Sequence, residues 1–231
     1  MDITRKYFDS FQLKMIAACA MAIDHTAHLF FPAEIYMRCI GRLAFPIFAF
    51  LIAEGYRRTG DAARYMLRLF IFAVISQVPY QLMVGSPGSI NPNVMFTLLF
   101  GLLAIYAIDK WNPAARILLP VLLAVTAQTM AFDHGAFGVL LVIAFYLTKD
   151  RMSLRNIAAA ILILLFSTYY LAYGGINSTG WLIVLFYLAA LPAISLYNNK
   201  KGISNPFTKW FFYIFYPSHI IILLIIRHFA G

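Results

Sequence analysis

The sequence predicts an all-α fold, a polytopic transmembrane helix bundle of about nine spanning segments, with the N-terminus cytoplasmic and the C-terminus outside. Three observations predict it. The 231-residue chain is 62% hydrophobic and 12% charged, where a soluble domain is about half apolar and a quarter charged. Its apolar residues fall in windows of about 20, the length that crosses a bilayer as a helix. Its lysines and arginines occupy alternate connections between those windows. With a mean hydropathy of +0.79, one membrane domain over residues 1–231 accounts for the whole chain.

The windows run over residues 13–31, 36–56, 62–83, 93–109, 113–130, 134–148, 154–173, 178–197 and 209–229. The sixth is short, so it is expected to begin earlier or to cross obliquely. Pro46, Pro79, Pro120, Pro192 and Pro217 are candidate kinks. The N-terminal stretch carries Arg5, Lys6 and Lys14. Arg57, Arg58 and Arg64 mark the second connection, Lys110 and Arg116 the fourth, Lys149, Arg151 and Arg155 the sixth, and Lys200, Lys201 and Lys209 the eighth. The connections between these hold no basic residue, and basic connections stay cytoplasmic. Arg227 and His228 at the C-terminal end are the one departure. The net charge of +9 is therefore topological, and no nucleic-acid partner is expected. The N-terminus resembles a signal peptide in its charge pattern, but Asp24 and His25 argue against cleavage. Cys19 and Cys39 lie in separate windows and are expected as small core residues, with no disulfide or metal between them.

The first window contains Met21-Ala22-Ile23-Asp24-His25-Thr26-Ala27-His28. A charge at helix centre costs about 2.5–3.5 kcal/mol, and an intramembrane ionisable group is a functional-site hypothesis by default. By helical rise, His25 lies roughly 18 Å in from the cytoplasmic side, His219 roughly 15 Å in, and Arg42 roughly 9 Å from the outer edge. Asp24 and His25 diverge by about 100° around the helix, so Arg42 is the better partner for Asp24. The plain alternative is a structural Asp–Arg pair beside a hydrogen-bonded histidine. For His28, near the outer interface, the structural reading is preferred.

Gln77, Gln81, Asn91, Asn93, Gln128, Asp133, His134 and Asn177 sit at outer helix ends. Caps explain many of them, and together they describe a polar vestibule. Glu54, beside Arg57 and Arg58, is expected to be an interface ion pair, and Tyr169, Tyr170 and Tyr173 an aromatic belt. Met21–Ala27 is echoed by Met130–Ala136, as a parallel duplication of four helices would produce. Coincidence gives the same short match.

Five strings in order complete the reading: Ile23-Asp24-His25, Gly41-Arg42-Leu43-Ala44-Phe45-Pro46-Ile47-Phe48-Ala49, Asn93-Val94-Met95-Phe96-Thr97-Leu98, Gly135-Ala136-Phe137-Gly138 and Phe215-Tyr216-Pro217-Ser218-His219. In these the chain resembles the TraX conjugal-transfer family, whose plasmid member is associated with N-terminal acetylation of pilin. More distantly it is similar to polytopic acyl-CoA-dependent acyltransferases. The resemblance implies a multi-pass protein of the bacterial inner membrane. It implies acetyl transfer from cytoplasmic acetyl-CoA to an extracytoplasmic acceptor, a pilin amine or an envelope sugar. Asp24, His25, Arg42, Asn93 and His219 are the positions that match. No metal is expected, and surrounding lipid is.

On that reading Arg57, Arg58, Arg64 and Arg68 are expected to hold the CoA phosphates, although the usual inner positive charge explains them equally well. Asn93, Gln77 and His134 are expected to face the acceptor. His25 is the expected general base and His219 the donor-binding group, with Arg42 at the oxyanion. On depth alone the two histidines are close to interchangeable. Direct transfer and an acyl-histidine intermediate both remain open. The competing reading is a proton-coupled transporter using Asp24, His25, Arg42 and His219 as a relay. A scaffold without chemistry leaves these groups unexplained.

The charge alternation carries a direct test. A cysteine placed at Ser89 should react with an impermeant thiol reagent in intact cells, and one at Ser204 should not. The reverse pattern would invert the topology.

Overall fold

The computed structural model describes residues 6–85, 90–174 and 178–230, with the side chains of 169–174 and 178–179 excluded. The readings of Arg5, Ser89, Tyr169, Tyr170, Tyr173 and Asn177 fall outside the described residues. The helices are α1 (Ser10–Phe30), α2 (Ile35–Gly41), α3 (Ala44–Arg58), α4 (Ala62–Val84), α5 (Val94–Lys110), α6 (Pro113–Thr129), α7 (Gly135–Leu147), α8 (Met152–Gly174), α9 (Ser178–Ser195) and α10 (Pro206–Ala230). Among the described residues the only β contact is a bridge between Phe8 and Tyr197.

The helices fall on the nine sequence windows because α2 and α3 share one of them, Ile35–Arg58. That window, Ala62–Val84 and Pro206–Ala230 are long and apolar enough to cross a membrane, and four shorter apolar helices accompany them. Within α4, Leu67, Ile71, Val74, Val78 and Leu82 are all exposed, forming an apolar stripe at helical spacing. Ile117, Leu118, Val121 and Val125 form another on α6. An apolar face of this size turned outward is what lipid contact requires, and the chain is a membrane protein. Pro79, Pro120, Pro192 and Pro217 lie inside their helices.

The chain divides into two compact units. The first comprises Met1–Phe48 and Thr148–Phe212. Asp9 caps α1 in a reciprocal box with Gln12, satisfying N–H groups that the helix leaves open. The preceding residues are tied down, since the N–H groups of Tyr7 and Phe8 donate to the Leu196 carbonyl. Gly202, at φ +68°, lies so close to Asp9 that a Cβ would fall 2.3 Å from its Cγ. In this unit α1 packs on α2, α2 on α9, and α8 on α9. Asn156 Nδ2 donates to Ser195 Oγ at 2.8 Å, joining α8 to α9.

The second expected window is broken at Arg42 and Leu43. Pro46 is the physical cause: it has no N–H for the Arg42 carbonyl four residues back, and its ring crowds that carbonyl.

The second unit comprises Ala49–Leu147 and Tyr213–Gly231. Here α5, α6 and α7 pack against one another and α4 packs on α5. Their shared core is Ala104, Ala124, Ala127, Phe132 and Val139. Small residues let the backbones approach, as at Gly101, where a Cβ would meet Val142 Cβ at 2.7 Å. Asp109 fastens three helices, accepting from Tyr56 Oη at 2.8 Å, from Tyr146 Oη at 3.1 Å and from Lys110 Nζ at 3.0 Å. Glu54 pairs with Arg57 and Arg58 within α3, as the sequence suggests.

Met130–Ala136 does not repeat the first copy structurally. Met21–Ala27 is helical within α1, whereas Ala131 (φ 51°), His134 (φ 66°) and Gly135 (φ 44°) turn the chain between α6 and α7. The match is one of residues and not of conformation.

Gly101→Val should lower the thermal midpoint in detergent, with about 1–3 kcal/mol lost to overpacking. Adding Val142→Ala should restore part of it. Unchanged stability in Gly101→Val would show that α5 and α7 are not in this contact.

Candidate functional site

In the first unit, α1 brings Asp24 and His25 to a place where α2 comes very close. At Gly41 an added Cβ would sit 2.3 Å from Asp24 Cβ and 2.6 Å from its Cγ. Only a residue without a side chain fits there. The next residue, Arg42, closes α2 and turns onto Asp24. Its Nη2 donates to Asp24 Oδ1 at 2.9 Å and Oδ2 at 3.1 Å. Its Nε donates to the Arg38 carbonyl at 3.2 Å, covering an acceptor that the end of α2 leaves open. From α9, the Tyr187 ring lies 6.0 Å from the guanidinium, within cation–π range.

Arg38 is the second partner, with Nη1 at 3.2 Å from Asp24 Oδ1. Two guanidiniums therefore share one carboxylate and leave one positive charge in excess. The side chains of Arg38, Arg42 and Asp24 are 31%, 20% and 16% exposed, so a ligand can still reach the cluster. His25 is half-buried and adjacent in the chain, about 100° around the helix from Asp24. Thr26 Oγ1 donates back to the Ala22 carbonyl at 2.8 Å.

The remaining expected residues lie in the second unit. His219 is 8% exposed on α10. Its Nδ1 lies 2.8 Å from the Phe215 carbonyl, and its ring stacks on Phe215 at 4.8 Å. A carbonyl only accepts, so Nδ1 carries a proton. His134 Nδ1 meets Asp133 Oδ1 at 2.9 Å in the α6–α7 turn.

Asn93 stands at the start of α5. It is fully buried and caps α5, accepting from the Met95 N–H at 3.0 Å. Its Nδ2 donates to the Ala73 carbonyl at 2.8 Å and to Gln77 Oε1 at 2.9 Å. Gln77 returns a bond to the Asn91 carbonyl at 2.9 Å. The two residues clamp α4 to the start of α5, which is where their polarity is used. Gln128 likewise accepts from the Ala136 N–H at 3.2 Å. These vestibule residues support turns and caps.

Of the four arginines expected at the donor phosphates, Arg57 and Arg58 pair with Glu54 and Arg64 pairs with Asp61 at 2.9 Å. Arg68 lies 5.8 Å from the Tyr65 ring. Sequence reasoning missed Arg38 and Tyr187. Arg38 stands four residues before Arg42 on the same helix face, a usable signal. Tyr187 arrives only through the packing of α9 on α2.

Fold and site together define an all-helical membrane protein with a partly buried, net-positive ionic cluster. The family model described as "TraX protein" matches residues 10–227. A probable fimbrial assembly protein FimC, serogroup H1, of Dichelobacter nodosus is 30% identical, with 94% of each chain covered. An uncharacterized protein of Rickettsia prowazekii (strain Madrid E) is 23% identical over 62% of this chain and 57% of its own length. No solved structure matches. The chain belongs to the TraX family.

Asp24→Asn should lower folded yield most, because it leaves two guanidiniums without their carboxylate. Removing one partner of a buried pair costs about 3–5 kcal/mol, and partial exposure reduces that here. Arg42→Gln should cost less, since Arg38 still holds Asp24. Adding Arg38→Gln and Arg42→Gln to Asp24→Asn should recover yield by size-exclusion chromatography. Wild-type yield in Asp24→Asn would contradict the pairing.

Proposed function

We propose that the chain is a membrane acetyltransferase that takes an acetyl group from cytoplasmic acetyl-CoA and places it on an extracytoplasmic amine or sugar hydroxyl. The observation that carries this reading is the Asp24–Arg38–Arg42 cluster beside His25. It is partly open, net positive and built on the most specific family string. Membership of the TraX family and similarity to a fimbrial assembly protein favour a pilin-related acceptor.

In the proposed reaction, neutral His25 takes the proton from the acceptor amine or hydroxyl as that atom attacks the thioester carbonyl. The carbonyl oxygen becomes an oxyanion, and Arg42 stabilises it. Collapse breaks the C–S bond, and the departing thiolate takes the proton from the imidazolium. Asp24 holds Arg42 in position and does not itself exchange a proton. Arg57, Arg58, Arg64 and Arg68 remain the candidates for the donor phosphates. Glu54 and Asp61 already meet three of them, so any phosphate competes with those carboxylates. His219, buried on α10, is the second candidate base.

Removing a general base costs about 10²–10⁴-fold in rate. His25→Ala, purified and folded, should lose thioester-to-acceptor transfer by that factor and keep donor binding. Near-normal turnover in His25→Ala with loss in His219→Ala would move the role to His219. Neither variant altering turnover would end the reading, as would an absence of thioester consumption by the wild type with any acceptor.

A further inference from the structure

Arg38 has donors left over once Asp24 is bound. Its Nη1 faces Asp24 Oδ1 at 3.2 Å and the Asp24 carbonyl at 3.5 Å. Among the described residues, its Nε and Nη2 meet no acceptor. These two groups lie on one edge of the guanidinium plane, and paired N–H groups of this kind grip both oxygens of a carboxylate at once. Arg42 is differently placed, since its Nε and Nη2 are taken by the Arg38 carbonyl and by Asp24. Arg38 is also the more exposed of the two, 31% against 20%.

Charge narrows the ligand further. One carboxylate and two guanidiniums leave a single positive charge, which a monoanion neutralises. A phosphate monoester, at about −1.5 to −2, overshoots it. A planar carboxylate matches both the charge and the fork.

We propose that Arg38 is a specificity residue whose free Nε–Nη2 edge binds a carboxylate carried by the acceptor, close to the amine or hydroxyl that is acylated. This rests on the reading of the Asp24–His25–Arg42 cluster as the transfer centre. It narrows the acceptor to an acidic one, for a protein substrate a segment with a glutamate or aspartate near the reacting amine.

The test is binding without a donor, so that it does not depend on transfer. The probes are peptide amides with free N-termini, Ala-Ala-Glu-Ala-Ala and its Gln and Lys counterparts. They are titrated against the full-length protein in neutral-lipid nanodiscs. The Glu peptide should bind about tenfold more tightly than the Gln peptide, the scale of a hydrogen bond to a charged group. That preference should vanish in Arg38→Gln and turn toward the Lys peptide in Arg38→Glu. Arg38→Lys keeps the charge without the fork, guards against loss of fold, and should retain only part of the preference. Equal binding of the Glu and Gln peptides by the wild type overturns the proposal, as does an unchanged preference in Arg38→Gln. Arg38-dependent stabilisation by phosphatidylglycerol nanodiscs, with no peptide preference, overturns it in favour of a lipid headgroup site. A retained Glu preference in a protein that transfers nothing would sink the acetyltransferase reading and leave the carboxylate site standing.

Discussion

Asp24 sits within the apolar helix α1, in its C-terminal half, and the surrounding structure depends on how its charge is met. An unpaired carboxylate there would be strongly unfavourable. Arg42 and Arg38 both reach it from α2, and they can do so only because α2 lies almost on α1 at Gly41. The Gly41-Arg42-Leu43-Ala44-Phe45-Pro46 string is a geometric device. The glycine lets the backbones meet, the arginine supplies the charge, and the proline ends α2 so that Arg42 falls at a break and not within a helix. Tyr187 then packs α9 over the guanidinium.

The polar residues of this chain divide by what their bonds accomplish. Asn93 and Gln77 satisfy each other and nearby backbone groups, and their burial is therefore inexpensive. Asp109 collects two tyrosine hydroxyls and a lysine, tying α3, α5 and α7 together. Such sets close on themselves. The Asp24 set does not close, because it carries one more positive charge than negative and has guanidinium donors without an acceptor among the described residues. That imbalance separates a candidate chemical site from a structural clamp.

Helix positions were largely legible in the sequence, since runs of apolar residues bounded by charge or proline have few other readings. The break inside the second window was not, because it needed Pro46 to be read against the carbonyl four residues earlier and not simply as a kink. The Asp24–Arg42 pair was legible from depth and helical angle. Arg38 was passed over although its spacing from Arg42 places the two on one face. Asn93, Gln77 and Gln128 were read as caps that together outline a vestibule; the capping and turn bonds are present, and polarity at a helix end looks the same whether a cap or a ligand uses it. The Met130–Ala136 echo was weighed against coincidence, and matching residues say nothing of the positive φ values that turn the chain there.

The proposed acetyl transfer would have a direct chemical consequence in the cell. Mass spectrometry of envelope proteins and glycans, from cells with and without the chain, should find at least one extracytoplasmic amine or hydroxyl that carries an acetyl group only when the chain is present. A pilin-type N-terminus or an envelope sugar with an acidic neighbour is the expected acceptor. Identical acetylation in both sets of cells, with the chain confirmed in the membrane of one, would contradict it.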